Sequence, residues 1–235
     1  MIAFHGKQEV KDFYLARAKA HFAADEIVHG QYWEDGKGCA VGCLIHSNSH
    51  SQLAKEINIP IEMAFLIDGL FEGMSNGTAK SFPVRFIESI PVGAELDCVI
   101  DRYLLALLSD NDHGVIISAN NRTRKPIQDV IDLFARQVSG HGVPTVDEWT
   151  AAAYSAAYSV ADSVADSAAY SAADMAAYSV AYSAAYCAAC RAACRAAAGS
   201  AAGSAAYSAA VSNHFVWQSE TLLNLLSTAP VLVLA

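Results

Sequence analysis

The sequence predicts a mainly α-helical fold. Apolar residues recur with helical spacing in four stretches of the first 143 residues, and this spacing is typical of helices that bury one face. Alanine, the strongest helix former, supplies 29 of residues 151–210. Only residues 115–117, with the sequence VII, have the short apolar run of a strand. We therefore expect an N-terminal helical domain followed by an alanine-rich helical hairpin or bundle built from tetrapeptide repeats.

The N-terminal domain is expected to span residues 1–143. Its four apolar stripes are Val10, Phe13, Tyr14, Ala18 and Phe22; Met63, Leu66, Ile67, Leu70, Phe71 and Met74; Leu96, Val99, Ile100, Tyr103, Leu104 and Leu107; and Ile127, Val130, Ile131, Phe134 and Val138. Segments that contain glycine or proline separate the stripes and predict turns between the helices. Large apolar side chains of this kind predict a conventional buried core.

The second region is expected to span residues 144–235 and to begin with a helix near Val146. Thr145 and Glu148 have the spacing of a capping box, in which each side chain binds the backbone N–H of the other residue. From residue 154 to residue 197 the chain repeats every four residues: Tyr, Asp or Cys, then usually Ser, then two small residues. Phe215, Trp217 and four leucines beyond the repeat predict a more apolar C-terminal helix.

The four-residue period of this tract does not match the 3.6 residues of a helical turn. Each repeat advances the tyrosine stripe by about 40° around a helix, which favours several shorter helices or a long helix wrapped by its neighbours. Repeat expansion in the coding sequence is the alternative origin of the pattern. We expect a tyrosine surface that binds protein, formed by Tyr154, Tyr158, Tyr170, Tyr178, Tyr182 and Tyr186.

Charge and composition exclude several classes of partner. The formal net charge of -9 does not provide the basic footprint that a phosphate backbone requires, so we expect no nucleic-acid partner. No run reaches the roughly 18 strongly apolar residues of a spanning helix, so we expect no membrane association. The opening residues lack the features of a signal peptide, and the six cysteines are expected to be reduced thiols of a cytoplasmic protein.

Cys39, Cys43, His46 and His50 are the most site-like cluster, and they have the ligand types of a structural zinc site. On one helix their spacing separates the first and last residues by about 16 Å, so a single ion requires a loop after Ile45. The alternatives are buried structural cysteines and a nucleophilic Cys39 in the first turn of a helix, with His46 or His50 as its base. No residue is predicted to be catalytic.

Several short motifs carry a resemblance to a known family. GKGCAVGC at residues 36–43, IP at 59–60, FEG at 71–73 and IPVG at 90–93, together with His50, resemble a family of bacterial and bacteriophage proteins. The similarity covers roughly residues 4–108, and members also carry an alanine-rich C-terminal tract. The family has no established activity, so the resemblance implies no catalytic residue. It implies a bacterial or phage cytoplasm.

These observations favour a non-enzymatic helical module that binds a protein partner. For a phage or mobile-element protein, the hypothesis extends to binding or inhibition of a host defence component. The acidic surface suits a basic partner, and the repeat and the apolar tail at residues 230–235 suit self-association into a homo-oligomer. The alternative is a metal- or thiol-dependent enzyme or a zinc-binding protein centred on Cys39, Cys43, His46 and His50. The first hypothesis requires no cofactor, and the second requires zinc or a reactive thiol.

Overall fold

The computed structural model describes residues 1–161, apart from residues 120 and 122, and residues 204–232. The predicted mainly α-helical class is confirmed. Residues 162–203, which contain most of the four-residue repeat and of the predicted hairpin or bundle, lie outside the described residues. Within the described part of the chain, no helix combines the length and the apolar character needed to span a lipid bilayer.

The helices are α1 (Gln8–Ala23), α2 (Ala40–Ile45), α3 (His50–Ile57), α4 (Ile61–Gly73), α5 (Asn76–Ala79), α6 (Phe82–Ser89), α7 (Val99–Ser109), α8 (Arg124–Val138), α9 (Val146–Ala161) and α10 (Ser204–Ser227). Two short strands, β1 (Trp33–Glu34) and β2 (Lys37–Gly38), pair antiparallel. The strand expected at residues 115–117 is wrong, because these residues belong to the 3₁₀ turn Val115–Ser118. An apolar run of three residues does not distinguish a strand from such a turn.

The chain divides into two compact units. The first comprises Met1–Ile100 and Ser212–Ala235, and the second comprises Asp101–Val211. This division differs from the predicted boundary after residue 143 in two ways. Helix α8 packs against α9 in the second unit, and the C-terminal part of α10 belongs with the N-terminal residues. Composition marks where the alanine tract begins, but it does not show which helix the apolar C-terminal segment will contact.

The predicted C-terminal helix is confirmed, and it packs on the first unit through three kinds of contact. The ring of Phe215 lies against Gly73, where an added Cβ would stand 2.5 Å from the ring atoms. Arg85 binds the carboxylate of Glu220 through two hydrogen bonds of 2.7 and 2.6 Å. Beyond the helix, the N–H of Glu95 donates to the Pro230 carbonyl oxygen over 2.8 Å. The beginning of the apolar tail is therefore held against residues 93–95.

Helix α4 lies in the core of the first unit. Every residue of its predicted stripe is buried: Met63, Leu66, Ile67, Leu70, Phe71 and Met74. The helix begins after Pro60, whose fixed φ and missing N–H suit the position just before a helix. It packs against α2 and α3, the two helices that carry the candidate site.

Helix α1 forms where the first stripe predicted it, but it buries a different face. Phe13 and Phe22 are 53% and 49% exposed, whereas Tyr14, Ala18 and His21 are buried. These three residues follow the i, i+4, i+7 spacing of one helix face. The buried face of α1 therefore contains the imidazole of His21 in place of the predicted rings of Phe13 and Phe22.

Helices α8 and α9 pack against each other in the second unit. The rings of Phe134 and Trp149 meet with their centroids 4.7 Å apart, and Arg136 pairs with Glu148 over 2.7 Å. The predicted capping box is confirmed: the N–H of Thr145 donates to Glu148 Oε2 over 2.7 Å, and the N–H of Glu148 donates to Thr145 Oγ1 over 3.3 Å. Helix α9 therefore starts where the sequence predicted.

Candidate functional site

The segment GKGCAVGC at residues 36–43 packs the chain at Tyr32 against helix α2. A Cβ added to Gly38 would lie 2.1 Å from the carbonyl oxygen of Tyr32, and one added to Gly42 would lie 1.4 Å from the same atom. Both distances are shorter than any allowed contact between heavy atoms, so both positions require glycine. The glycines of the motif thus allow the backbone at Tyr32 to approach α2 closely.

Cys39 and Cys43 hold the same junction through their sulfur atoms. Cys39 caps α2, since its Sγ accepts a hydrogen bond from the N–H of Gly42 over 3.4 Å. The thiol of Cys43 donates to the carbonyl oxygen of Gly38 over 3.3 Å. Burial raises the pKa of both thiols to about 12, so they are protonated at neutral pH. A nucleophilic cysteine requires a lowered pKa, and this geometry favours the structural role over the nucleophilic one.

The four residues predicted as zinc ligands do not share one common partner. Cys39 and Cys43 make the contacts described above, His46 bonds to His21, and His50 Nε2 lies 3.0 Å from Asp68 Oδ2. Among the described residues, no three His, Cys, Asp or Glu side chains are grouped so that they could hold a metal ion. The four side chains therefore do not converge as the four ligands of one tetrahedral site.

His46 instead belongs to a hydrogen-bonded chain with His21 and Glu26. His21 Nδ1 lies 2.6 Å from Glu26 Oε2, and His21 Nε2 lies 2.7 Å from His46 Nε2. The first distance requires a proton on His21 Nδ1, and the second requires one proton shared between the two rings. Partial burial, together with the nearby charge of Arg17, lowers the pKa of His46. His46 is therefore a neutral imidazole at neutral pH.

The β1–β2 hairpin positions Trp33 against this histidine pair. Asp35 and Gly36 connect the strands with φ values of 50° and 81°, as in the two-residue type I′ turn that favours the Asp-Gly sequence. Trp33 stacks on His46 with 4.3 Å between ring centroids and 10° between ring planes. His21 and Trp33 meet edge to face with 5.3 Å between their ring centroids, so the tryptophan contacts both imidazoles.

A third imidazole, that of His50 at the start of α3, lies between two aromatic rings. His50 stacks on Phe65 with 4.4 Å between centroids, and it meets Tyr32 edge to face at 5.7 Å. Phe65 and Tyr32 are 55% and 51% exposed, although His50 itself is buried. The hydrogen bond to Asp68 fixes the orientation of the ring, so the two exposed rings rest on a rigid support.

Arg17 joins this group to helix α1. Its guanidinium lies 4.4 Å from the ring centroid of Phe13 and donates to the carbonyl oxygen of Leu44 over 2.8 Å, close to the end of α2 where His46 stands. We name the resulting group the aromatic surface and define it as Phe13, Arg17, Tyr32, Trp33, His46, His50 and Phe65. All of its members belong to the first unit.

The predicted tyrosine surface is described only at its beginning. Tyr154 lies on α9 and is 59% exposed. Tyr158 also belongs to α9, but its side chain lies outside the described part of the structure. The remaining members lie outside the described residues altogether: Tyr170, Tyr178, Tyr182 and Tyr186. Their role as a binding surface stays a prediction.

Sequence reasoning missed six residues of the candidate site: Arg17, His21, Glu26, Tyr32, Trp33 and Phe65. One local signal was available, since the Asp35-Gly36 dipeptide is a strong hairpin signal and a hairpin there would have placed Trp33 close to Gly38. No local signal pairs His21 with His46, because 25 residues separate them in sequence and tertiary packing alone brings them together.

A scan of protein-family models and searches of curated proteins and solved structures found no match to this chain. The resemblance to bacterial and bacteriophage proteins therefore stays a prediction, and the candidate site rests on its own geometry.

Proposed function

We propose that the chain is a non-enzymatic helical protein-interaction module and that its partner binds the aromatic surface. The observation that carries this proposal is the exposure of three phenyl or phenol rings, Phe13, Tyr32 and Phe65, each more than half exposed. Phe13 contacts Arg17, whereas Tyr32 and Phe65 both contact His50. The two groups are joined along the chain, because Tyr32 precedes Trp33. Aromatic residues and arginine are the types that are enriched at protein interfaces and that supply most of their binding free energy.

The support beneath these rings also favours binding. Phe65 stacks on His50, and His50 is fixed in turn by Asp68. Phe13 is covered on one face by Arg17. Because these side chains are already held in place, a partner that contacts them orders few additional rotamers. Such preorganisation lowers the entropic cost of association.

The charge of the chain indicates the chemistry of the partner. The net charge is -9, and the exposed carboxylates of Glu34 and Asp35 stand on the hairpin that carries Trp33. We propose a cytoplasmic protein partner that presents lysine or arginine around an apolar contact, since opposite charges accelerate association and exclude acidic partners. If the chain is a phage or mobile-element protein, the partner that we propose is a component of the host defence.

Site-specific photo-crosslinking in the producing cell tests the proposal. A photoreactive phenylalanine analogue replaces Phe65 in one variant and Phe22 in the control. Phe22 is similarly exposed, at 49%, but nine residues of helix turn it about 180° from Phe13 on α1. We expect one basic protein to be crosslinked in stoichiometric amount at position 65 and not at position 22.

A Phe13→Ala substitution is then added to the position-65 variant. If the partner contacts the whole surface, its crosslinking should fall by about tenfold, as expected for loss of a central aromatic contact worth about 1–2 kcal/mol. Identical products at positions 22 and 65 would contradict the proposal. Crosslinked products that contain only a second copy of the chain would indicate self-association instead of a separate protein partner. Light scattering would measure self-association independently.

A further inference from the structure

His21 and His46 present the same ring nitrogen to each other. Their Nε2 atoms are 2.7 Å apart, although the residues come from different helices: His21 lies on α1, and His46 caps the end of α2. Two imidazoles whose Nε2 lone pairs point at one position can share a proton, as described above, or they can share a metal ion.

Glu26 gives the pair a second feature of a metal site. Its Oε2 binds the other nitrogen of His21, Nδ1, over 2.6 Å. A histidine that ligates a metal almost always donates its remaining N–H to a carboxylate, a carbonyl or water, which fixes the tautomer and makes the ligating nitrogen more basic. The contact with Glu26 holds His21 in the tautomer whose Nε2 lone pair faces His46.

The spacing of the two nitrogens is close to that of a bound ion. Two imidazole ligands with bonds of about 2.0–2.1 Å and a tetrahedral angle place their nitrogens about 3.3 Å apart. The pair would have to open by about 0.6 Å from its separation of 2.7 Å. Both rings would also have to turn toward the ion, because centroids 5.0 Å apart place them nearly head-on. His46 is exposed and ends its helix, so its side chain can make this movement while it slides on the face of Trp33.

The protonation state of the pair also suits metal binding. A ligating imidazole must be neutral, and each ring of the hydrogen-bonded pair can present an unprotonated Nε2. On metal binding, the proton shared between the two Nε2 atoms moves to His46 Nδ1, which keeps both rings neutral and leaves both Nε2 lone pairs free to bind. Arg17 opposes the incoming cation and Glu26 favours it, and both charges lie close to the pair.

We infer that His21 and His46 form a binding site for a divalent transition-metal ion, with Glu26 orienting His21 and water completing the coordination. Imidazole nitrogen favours Zn²⁺, Cu²⁺ and Ni²⁺ over Mg²⁺ and Ca²⁺, which prefer oxygen ligands. This inference does not rest on the proposed protein-binding function, although His46 also belongs to the aromatic surface. It also differs from the zinc cluster expected from the sequence, because it uses His46 without Cys39, Cys43 or His50.

Titration of the full-length, tag-free protein with ZnCl₂ tests the inference by isothermal calorimetry. The wild-type chain should bind Zn²⁺, and His46→Asn should weaken the binding at least about tenfold. Asparagine tolerates the left-handed conformation of residue 46, where φ is 55°. The matched control is His141→Asn, which removes an exposed histidine of the second unit and should bind as the wild type does. Glu26→Gln should weaken binding about 10- to 100-fold, as loss of such a supporting carboxylate does in other sites.

NMR of the imidazole nitrogens of the wild-type protein provides a readout that does not depend on any variant. Zn²⁺ should shift the Nε2 resonances of His21 and His46 together and leave those of His50 unchanged, whereas MgCl₂ should shift none of them. Equal Zn²⁺ affinity in the wild type and His46→Asn would overturn the inference. So would a Zn²⁺ titration in which the Nε2 resonances of His21 and His46 do not move.

Discussion

A Cβ atom placed on Gly42 would lie 1.4 Å from the carbonyl oxygen of Tyr32. This near-contact couples helix α2 to the chain that carries both Tyr32 and Trp33, and through them to the two imidazoles on which they pack. The GKGCAVGC segment at residues 36–43 therefore acts on the aromatic surface through its backbone. Its cysteines strengthen the same junction, since Cys43 donates to the carbonyl oxygen of Gly38.

The first prediction concerns Gly42. Gly42→Ala should lower the free energy of unfolding by about 3 kcal/mol, the upper part of the range for overpacking, because backbone must move to admit the methyl group. Urea unfolding measures the effect. The control is Gly77→Ala on α5, where an added Cβ meets nothing within 4 Å and alanine is favoured in a helix by up to about 1 kcal/mol. Equal effects at the two positions would show that residue 42 is not closely packed.

A second prediction follows from the thiols. Burial raises the pKa of Cys39 and Cys43 to about 12, so about one molecule in 10⁴ carries either thiolate at pH 8. Iodoacetamide at pH 8 should therefore modify the exposed Cys98 well before either buried cysteine, as peptide mass spectrometry would show. In urea all three should react at similar rates. Early modification of Cys39 in the folded protein would revive the hypothesis of a nucleophilic thiol.

The fold class could be predicted from the sequence because helical periodicity records which face is buried. The stripe from Met63 to Met74 lies on α4 and the residue that follows it, and all six of its members are buried. Thr145 and Glu148 form the capping box that their spacing predicted. These features are local: each depends on residues within one or two helical turns, and tertiary contacts do not change them.

The site could not be predicted in the same way because its contacts are non-local. On α1, the sequence pattern predicted that Phe13 would be buried, because phenylalanine is more apolar than histidine. In the structure, His21 is buried and Phe13 is exposed. The reason is that His21 has partners from outside its helix, Glu26 and His46, which satisfy its nitrogens. A periodic pattern contains no information about such partners.

A third prediction concerns the start of α9. Thr145→Ala removes the side-chain oxygen that accepts from the N–H of Glu148, and it should lower the free energy of unfolding by about 1 kcal/mol. Thr145→Ser keeps an oxygen at the same position and should preserve most of the stability. Urea unfolding of both variants distinguishes the loss of the capping hydrogen bond from the effect of a smaller side chain. Equal losses for alanine and serine would mean that the cap contributes nothing measurable.

A fourth prediction concerns acid and the carboxylate of the same cap. Arg136 and the N–H of Thr145 lower the pKa of Glu148 to about 2, from 4.5 in an unfolded chain. The stabilisation from this carboxylate is therefore complete above about pH 4.5 and is lost as the pH falls through about 2. Glu148→Gln should destabilise the protein at pH 7 but have little effect at pH 2, as measured by urea unfolding. A pH-independent effect of the substitution would rule out the ionised pair as its cause.

The last prediction concerns His46 and uses metal-free buffer with a chelator. Its pKa is lowered in the folded protein, so an unfolded chain takes up the proton first as the pH falls below about 6.5. The contribution of His46 to stability is then present above pH 6.5 and declines below it. The free-energy difference between wild type and His46→Asn should thus be larger at pH 7.5 than at pH 5, by less than about 1 kcal/mol because the side chain is exposed and its charges are screened. His141→Asn is the control variant. If the free-energy difference between wild type and His46→Asn did not change with pH, the contact with His21 would not make His46 harder to protonate.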